Sequence, residues 1–267
     1  MYPPSTWRLL NSGEKDGATN MAVDEAILHG VAEGASPPTL RFFAWQPACL
    51  SLGQAQPFAD VDLEACHRLG VEIVRRPTGG RAIMHVDELT YSVTAREDEP
   101  RVHGGIVESY RRLSEGLLAG LLQIGLPVRQ VERPEDRDRD AGPVCFEVPS
   151  NYEIVFDGYK LVGSAQVRKG GAVLQHGSLP LVGDIARICA VLASKPDRGR
   201  VLARAITVER ATGRAVTFDA AARAMADGFA AALNLRLEPG ELTPQERGRS
   251  EQLRRDKYAS DDWTRRI

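Results

Sequence analysis

The stretch NYEIVFDGYKLVGSAQV, Asn151–Val167, decides the fold class. Its two largely apolar halves flank Asp157-Gly158, and Asp-Gly in such a setting is the strongest short-range signal for a β-hairpin. Outward from this hairpin, short strand-like runs are interspersed with long helical patterns. This mixture predicts an α+β fold in which mixed and antiparallel sheets pack against helices.

Apolar residues at helical spacing predict the helices, and short apolar or β-branched runs predict the strands. Thr243 and Glu246 have the spacing of a capping box, which predicts the start of the last helix. The predicted helices cover residues 19–32, 60–69, 107–124, 185–193, 218–233 and 244–258. Besides the hairpin, the predicted strands cover residues 39–45, 49–52, 71–74, 82–85, 89–95 and 172–181.

Composition excludes several classes of protein. The 267 residues carry 34 basic and 36 acidic side chains, and this balance argues against a nucleic-acid binder. The longest apolar-looking run, Leu117–Leu122, is far too short to span a membrane, and no signal peptide is visible at the N-terminus. The four cysteines are widely scattered without metal-ligand spacing. We therefore expect no metal, no membrane partner and a cytoplasmic location.

A glycine-rich loop follows the predicted strand 71–74. It reads RRPTGGRAIMH, Arg75–His85. Two consecutive glycines let the backbone approach a ligand closely, and arginine supplies donors for carboxylate, phosphate or carbonyl oxygens. The alternative is a tight turn with solvated arginines. The candidate ligand-binding residues here are Arg75, Arg76, Gly79, Gly80, Arg81 and His85.

Cys145 and Lys160 are the candidate reactive side chains. Cys145 lies between two prolines in a segment without helical pattern, after a charged stretch at residues 132–140 that is placed like a lid. It is either a nucleophile with a nearby cation or an inert buried thiol. Lys160 lies in an apolar strand run. If it faces the core, burial favours its neutral form and suits it to proton transfer; if it faces water, it is an ordinary strand lysine.

Two further short segments carry candidate binding residues. Small side chains after Lys160 leave room for a bulky group to pack against the strand. A histidine on the next predicted strand is either a general base or a structural residue. These candidates are Gly163, Ser164, Ala165 and Gln166 in the first segment, and His176 and Gly177 in the second.

Taken together, these segments resemble one family. RRPTGGRAIMH and the following ELTYSV (Glu88–Val93) resemble the ligand loop of the lipoate-ligase/biotin-ligase superfamily. The stretch CFEVPSNYEIVFDGYKLVGSAQVRKGGAVLQHGSLPL (Cys145–Leu181) resembles its octanoyltransferase LipM branch. NMAVDEAIL (Asn20–Leu28) and KYASDDW (Lys257–Trp263) fit the same family, so the resemblance covers nearly the whole chain.

The resemblance implies a lipoate/biotin ligase-like catalytic domain over residues 1–267, with the helical segment from about 218 to 267 as part of it. It implies transfer of octanoyl from octanoyl-acyl carrier protein to a lysine of a lipoyl-accepting protein, either the glycine cleavage H protein or a lipoyl domain. It assigns the thioester intermediate to Cys145 and the partner lysine to Lys160. Exchange between thioesters is close to thermoneutral, so no cofactor is expected.

Three alternatives stay open. An ATP-dependent lipoate ligase on the same fold would use Lys160 but not Cys145, although ligases usually carry a third glycine where this chain has Arg81. An amidotransferase would move octanoyl between two lipoyl-accepting proteins. A non-catalytic acyl-binding or partner-binding module would retain only the fold.

The resemblance also bears on how the basic residues and the cysteines are interpreted. Arg75, Arg76 and Arg81, with Arg168 and Lys169, predict a basic face that docks acidic carrier proteins. The three other cysteines are expected to be packing residues; they are Cys49, Cys66 and Cys189.

Overall fold

The computed structural model describes residues 2–132, 143–144 and 152–267. Within these ranges the strands are β1 (Ser5–Lys15), β2 (Thr39–Trp45), β3 (Cys49–Leu52), β4 (Glu72–Arg75), β5 (Ile83–His85), β6 (Glu88–Arg96), β7 (Arg129–Glu132), β8 (Tyr152–Phe156), β9 (Tyr159–Lys169), β10 (Ala172–Pro180) and β11 (Leu235–Pro239). The α-helices are α1 (Gly17–Ala32), α2 (Leu63–Leu69), α3 (Ile106–Gln123), α4 (Arg198–Leu202), α5 (Val208–Thr212), α6 (Phe218–Leu233), α7 (Pro244–Leu253) and α8 (Asp261–Thr264).

Two sheets organise the described residues. The larger has eight strands in the order β11-β1-β2-β6-β10-β9-β8-β7, and the smaller has three in the order β4-β3-β5. In the larger sheet β1 pairs in parallel with β2 and β11, whereas the remaining pairs are antiparallel. The α+β class with mixed sheets, predicted from the sequence, is confirmed.

Helices cover both faces of the larger sheet. On one face α3 and α6 pack closely together, and Tyr91, Leu117 and Phe229 belong to the apolar cluster beneath them. On the other face lies α1, whose Val23 and Ile27 pack against β10. None of the helices in the described ranges is both long and apolar enough to cross a bilayer.

The smaller sheet has its own apolar cluster. Leu50 and Ile83 pack there with Val144, with residues of a 3-10 helix at Ile185–Ala190 and with Val201 of α4. Met21 of α1 and Trp45 of β2 form a further cluster beside this sheet. The cavity described below lies where α1 and the two sheets meet.

Local sequence signals predicted several elements closely. Helix α6 has the predicted limits, and the hairpin turn has positive φ at both Asp157 and Gly158, as its sequence requires. The capping box of Thr243 and Glu246 starts α7 as predicted.

Other boundaries were wrong. The helix predicted from residue 60 begins at Leu63, because Asp62 caps it. The segment 185–193 forms a 3-10 helix over Ile185–Ala190, and the last helix changes to π geometry over Arg254–Tyr258. Strands β1, β7 and β11 were not predicted. The charged stretch after Glu132, proposed as a lid, lies outside the described residues.

Candidate active site

A largely apolar cavity lies between the glycine loop and the middle of β9 and β10. Its lining surrounds about 420 Å³ of space not filled by protein atoms, part of which is open to solvent. Eight of the residues predicted from the sequence line it: Arg76, Gly80, His85, Gly163, Ser164, Ala165, His176 and Gly177. Residues that sequence reasoning did not select complete its wall: Met21, Trp45, Ser51, Ile83, Thr90 and Ser178.

His176 connects the glycine loop to α1. Its Nδ1 lies 3.2 Å from Oδ2 of Asp24, and its Nε2 lies 2.7 Å from Oγ1 of Thr78. Burial by itself would raise the pKa of Asp24, but the Arg41 guanidinium, 2.6 Å away, and His176 lower it below its ordinary value. Because an ionised carboxylate only accepts, Nδ1 carries the proton and Nε2 accepts from the Thr78 hydroxyl.

His85 makes a similar pair of hydrogen bonds, one at each ring nitrogen, on the same cavity wall. Its Nδ1 lies 2.8 Å from Oε1 of Glu88, and its Nε2 lies 2.7 Å from Oγ of Ser51. The Trp45 ring stacks on the imidazole with centroids 4.0 Å apart, and its Nε1 donates to Thr90. The polar atoms of this wall are therefore hydrogen-bonded to one another, and the Trp45 ring presents an apolar surface.

Arg76 fixes the shape of the glycine loop. The side chain is buried, and its Nη1 donates to the carbonyl of Ser51 at 3.0 Å. Its Nη2 donates to the carbonyls of Gly79 at 2.7 Å and Arg81 at 2.8 Å. These bonds pull the loop into a tight curve, so the Arg76 guanidinium organises the backbone around the cavity.

Arg75 does not reach the cavity, which corrects its prediction as a ligand-binding residue. It is 0% exposed, and its guanidinium donates to the carbonyls of Gly53, Gln56 and Thr264. Trp263 in turn donates to the Arg75 carbonyl at 2.8 Å. Arg75 therefore anchors the C-terminal segment beneath the loop. Because Arg75 and Arg76 are both buried, their predicted place on a basic docking face is wrong.

Gln166 lies away from the cavity, on the α3 side of the larger sheet. Its side-chain amide donates there to Ser109 and Gln175. Gly79 and Arg81 are also outside the cavity lining. The geometry gives no support to substrate contacts by the side chains of Gln166 and Arg81, and Gly79 has only its backbone to offer.

The shape of the glycine loop depends on one glycine within it and on another that faces it. Gly80 has φ +93°, which favours glycine. Gly53 instead faces the loop so closely that a Cβ there would lie 1.9 Å from the Gly80 carbonyl oxygen. Among the described residues, none accepts a hydrogen bond from the backbone amide of Gly79 or Gly80.

We expect Gly53→Ala to displace the glycine loop. The methyl group collides with backbone, which cannot rotate away, and overpacking of this kind costs about 1–3 kcal/mol. Urea denaturation and transfer activity measure the effect. Gly248→Ala is the matched control, because nothing lies within 4 Å of its Cβ position. Equal stability and activity of the two variants would contradict this account of the loop.

Lys160 is buried in β9, so the alternative of a solvent-exposed strand lysine is wrong. It is 5% exposed, and its Nζ lies 3.4 Å from Oε1 of the buried Glu153 on β8. Its backbone is fixed from the other side, because its N–H donates to the Arg204 carbonyl at 2.7 Å and its carbonyl accepts from Ile206 at 3.1 Å. Long-range contacts therefore hold both the ammonium group and the backbone of Lys160.

Cys145 lies outside the described residues, so the structure does not test its predicted role. The residue before it, Val144, is buried and pairs with Ala82 next to the glycine loop. Pro143 accepts from Ala82 at 3.0 Å through its carbonyl. The chain therefore passes the loop immediately before it reaches Cys145.

The other three cysteines are packing residues, as predicted. Cys49, Cys66 and Cys189 are buried and form no disulfide with one another. Burial raises the pKa of Cys49 well above its ordinary value and that of Cys66 to about 11, which keeps these two as thiols. No group of three potential metal ligands occurs within the described ranges.

The His176 contacts predict a pH effect on stability. Burial lowers the pKa of His176 below its usual value of about 6.5, although Asp24 opposes the shift. The unfolded chain therefore binds this proton more readily, and the stability that the neutral imidazole contributes is lost as pH falls below about 6.5. We expect the gap in unfolding free energy between wild type and His176→Gln to narrow from about pH 7.5 to pH 5.5. Parallel pH dependences of the two proteins in urea denaturation would contradict it.

The family model described as "Lipoyl protein ligase A/B catalytic domain" matches residues 16–230. The chain belongs to this family. Full-length relatives place it in the LipM branch. It is 47% identical over 272 residues to the octanoyltransferase LipM of Moorella thermoacetica, and the match covers 99% of each chain. It is 39% identical to the octanoyltransferase LipM of Bacillus subtilis, with 97% of each chain covered.

Solved structures agree on the fold. A putative lipoate protein ligase from T. acidophilum with bound lipoic acid matches with a TM-score of 0.79 and 25% identity. The match covers 98% of this chain and 100% of that one. The lipoate ligase-like fold inferred from the sequence is therefore confirmed.

Proposed function

We propose that this chain transfers octanoyl from octanoyl-acyl carrier protein to a lysine of a lipoyl-accepting protein through a thioester on Cys145. Its membership of the LipM branch makes it an acyltransferase of lipoate biosynthesis. We further propose that residues 1–267 act as one catalytic domain in the cytoplasm. The glycine cleavage H protein and lipoyl domains are the proposed acceptors.

The observation that carries the proposal is the apolar cavity enclosed by the glycine loop and β9. An octanoyl chain gains about 0.8 kcal/mol for each CH₂ that it buries. Gly163 and Ala165 leave the width that such a chain needs, while Trp45 provides an apolar wall. The cavity therefore suits a saturated acyl chain better than a charged ligand.

The thioester carbonyl belongs at the mouth of the cavity, beside the glycine loop. The amides of Gly79 and Gly80 are the proposed donors to the oxyanion of the tetrahedral intermediate, and one well-placed donor contributes about 2.7–4 kcal/mol. The side chains of Arg76, Thr78 and His176 hold that loop in place.

On β10, Gly177 is required at its position because a Cβ there would lie 2.6 Å from Oγ of Ser164.

Lys160 is the proposed partner of the Cys145 thiol. Only the thiolate attacks a thioester, so a lysine that accepts the thiol proton, or that faces the thiolate as a cation, activates it. In the first half-reaction the thiolate displaces the carrier thiol and the octanoyl-cysteine forms. In the second, the neutral amine of the acceptor lysine attacks that thioester, and Cys145 leaves as thiolate.

An ATP-dependent ligase is the second candidate, because the structural relative from T. acidophilum is named as a putative lipoate protein ligase. An assay with three donors separates the functions: octanoyl-acyl carrier protein without ATP, octanoate with ATP, and an octanoylated lipoyl domain without ATP. We expect rapid octanoylation of apo H protein from the first donor. Strict dependence on octanoate and ATP would establish a ligase, and preference for the third donor would establish an amidotransferase.

A further inference from the structure

The C-terminal segment, residues 263–267, lies behind the glycine loop and holds its first residue. Trp263 donates through Nε1 to the carbonyl of Arg75 at 2.8 Å. The carbonyl of Thr264 accepts from Nη2 of Arg75, also at 2.8 Å. Two adjacent residues of the segment therefore bind Arg75 by its backbone and by its side chain.

The segment also fixes the turn at residues 53–56. The Arg75 guanidinium, held by Thr264, donates through Nη1 to the carbonyls of Gly53 at 2.9 Å and Gln56 at 2.6 Å. Just beyond the turn, the N–H of Phe58 donates to the carbonyl of Ile267 at 2.7 Å. The turn and the start of the glycine loop therefore share one support.

The glycine loop rests directly on this turn. The N–H of Gln54 donates to the carbonyl of Thr78 at 2.8 Å. Gly53 lies so close to the loop that a Cβ there would be 1.9 Å from the carbonyl oxygen of Gly80 and 3.3 Å from the carbonyl carbon of Gly79. A displacement of the turn or of Arg75 is therefore passed to the backbone of Gly79 and Gly80.

Charged groups attach the residues around Trp263 to α1. Lys257 and Tyr258 donate to Oε2 of Glu25 at 2.6 Å and 2.5 Å. Burial by itself would raise the pKa of Glu25, but the hydrogen bonds from Lys257 and Tyr258 lower it to about 2. The Trp263 ring lies 4.0 Å from the Lys257 ammonium and 3.8 Å from the Arg266 guanidinium. The indole is therefore held in place independently of its own hydrogen bond.

We propose that Trp263 is a positioning residue, which sets the amides of Gly79 and Gly80 against the oxyanion of the transferred octanoyl group. This inference rests on the proposed function. When the Cys145 thiolate attacks the thioester carbonyl, the carbonyl oxygen takes the negative charge, and that charge passes to the carrier thiolate as it leaves. A misplacement of about 1 Å in a catalytic arrangement can cost about a hundredfold in rate. Trp263 acts where the backbone passes from β4 into the loop, so loss of its hydrogen bond lets the donors shift.

The test removes this hydrogen bond and keeps an aromatic ring. Trp263→Phe loses Nε1 but leaves a ring face for the neighbouring cations. Replacement of Trp263 by 3-benzothienylalanine, which carries sulfur where indole carries N–H, removes the donor at nearly the same ring size. Trp7→Phe is the matched control, because Nε1 of Trp7 is buried and has no hydrogen-bond partner within the described part of the chain.

Two reactions of Cys145 are compared in each protein. Formation of the octanoyl-enzyme from octanoyl-pantetheine passes through the oxyanion, whereas alkylation by iodoacetamide displaces iodide and forms no oxyanion. We expect both Trp263 variants to lower the limiting rate of acylation about tenfold or more, while the half-saturating donor concentration and the alkylation rate stay within about twofold of wild type. Trp7→Phe should lose stability through the cavity that it leaves but keep both rates.

Other results would contradict this role of Trp263. An unchanged acylation rate would mean that the hydrogen bond does not set the loop, and equal losses of acylation and alkylation would mean that Trp263 acts on the Cys145 thiol. Alkylation of the three buried cysteines in the Trp263 variants, or an equal loss of acylation in Trp7→Phe, would mean that the residue serves folding alone. If the wild type is alkylated at Cys145 but acylated by neither octanoyl-pantetheine nor octanoyl-acyl carrier protein, the proposed function itself fails.

Discussion

Cys145→Ala is expected to abolish octanoyl transfer from octanoyl-acyl carrier protein, with a loss of at least about a thousandfold in kcat. The proposed route passes through a bond to Sγ of this residue, and no other thiol in the chain can replace it. Cys49, Cys66 and Cys189 are all buried, and burial raises the pKa of Cys49 and Cys66. The rate of octanoyl transfer to apo H protein, measured by gel shift or by mass spectrometry, tests this expectation.

Cys189→Ala is the matched control, because it removes a thiol from the apolar cluster of the smaller sheet. It is expected to keep its transfer rate and to lose some stability, since core truncations leave a cavity. If Cys145→Ala still transferred octanoyl, the route through a Cys145 thioester would be excluded and an ATP-dependent ligase would be favoured.

Lys160→Met is expected to reduce formation of the octanoyl-enzyme by about a hundredfold or more, because proton transfer by a positioned side chain contributes about 10²–10⁴-fold. The variant also leaves Glu153 without the ammonium that lies 3.4 Å from its carboxylate. Removing one partner of a buried ion pair costs about 3–5 kcal/mol, so lower stability accompanies the lower rate. Rapid-quench acylation and urea denaturation measure the two effects separately.

The double variant Glu153→Gln/Lys160→Met separates chemistry from folding. Removing both charges leaves no carboxylate deprived of the Lys160 ammonium, so stability should recover in part while the acylation rate stays low. Recovery of the rate together with stability would mean that Lys160 only supports the fold. In that case the activating group for Cys145 would have to be found elsewhere.

Local patterns explain why much of the fold was predictable. The limits of α6 follow from its amphipathic spacing and its Thr217 cap, and the β8–β9 hairpin follows from Asp157-Gly158. Strands β1 and β11 escaped prediction because both carry many polar residues and pair in parallel across about 230 residues of sequence. No local signal encodes such a pairing.

The candidate site was predictable where glycine or an unusual strand residue marked it. Gly80, Gly163 and Lys160 are of this kind. The partners of the two histidines were not, because Asp24 lies 152 residues from His176 and has the ordinary appearance of an acid in the first half of a helix. Arg75 was misjudged for the opposite reason. Its charge suggests a ligand, but its guanidinium instead donates to the main-chain carbonyls of Gly53, Gln56 and Thr264.

The central claim is that octanoyl passes through a covalent bond to Cys145. Its most direct test is intact mass spectrometry of the wild type after mixing with octanoyl-acyl carrier protein in the absence of ATP, followed by peptide mapping. The account predicts an increase by the mass of one octanoyl group, located on Cys145 and discharged by apo H protein. Rapid transfer to H protein without any mass increase, or an adduct on a different residue, would contradict it.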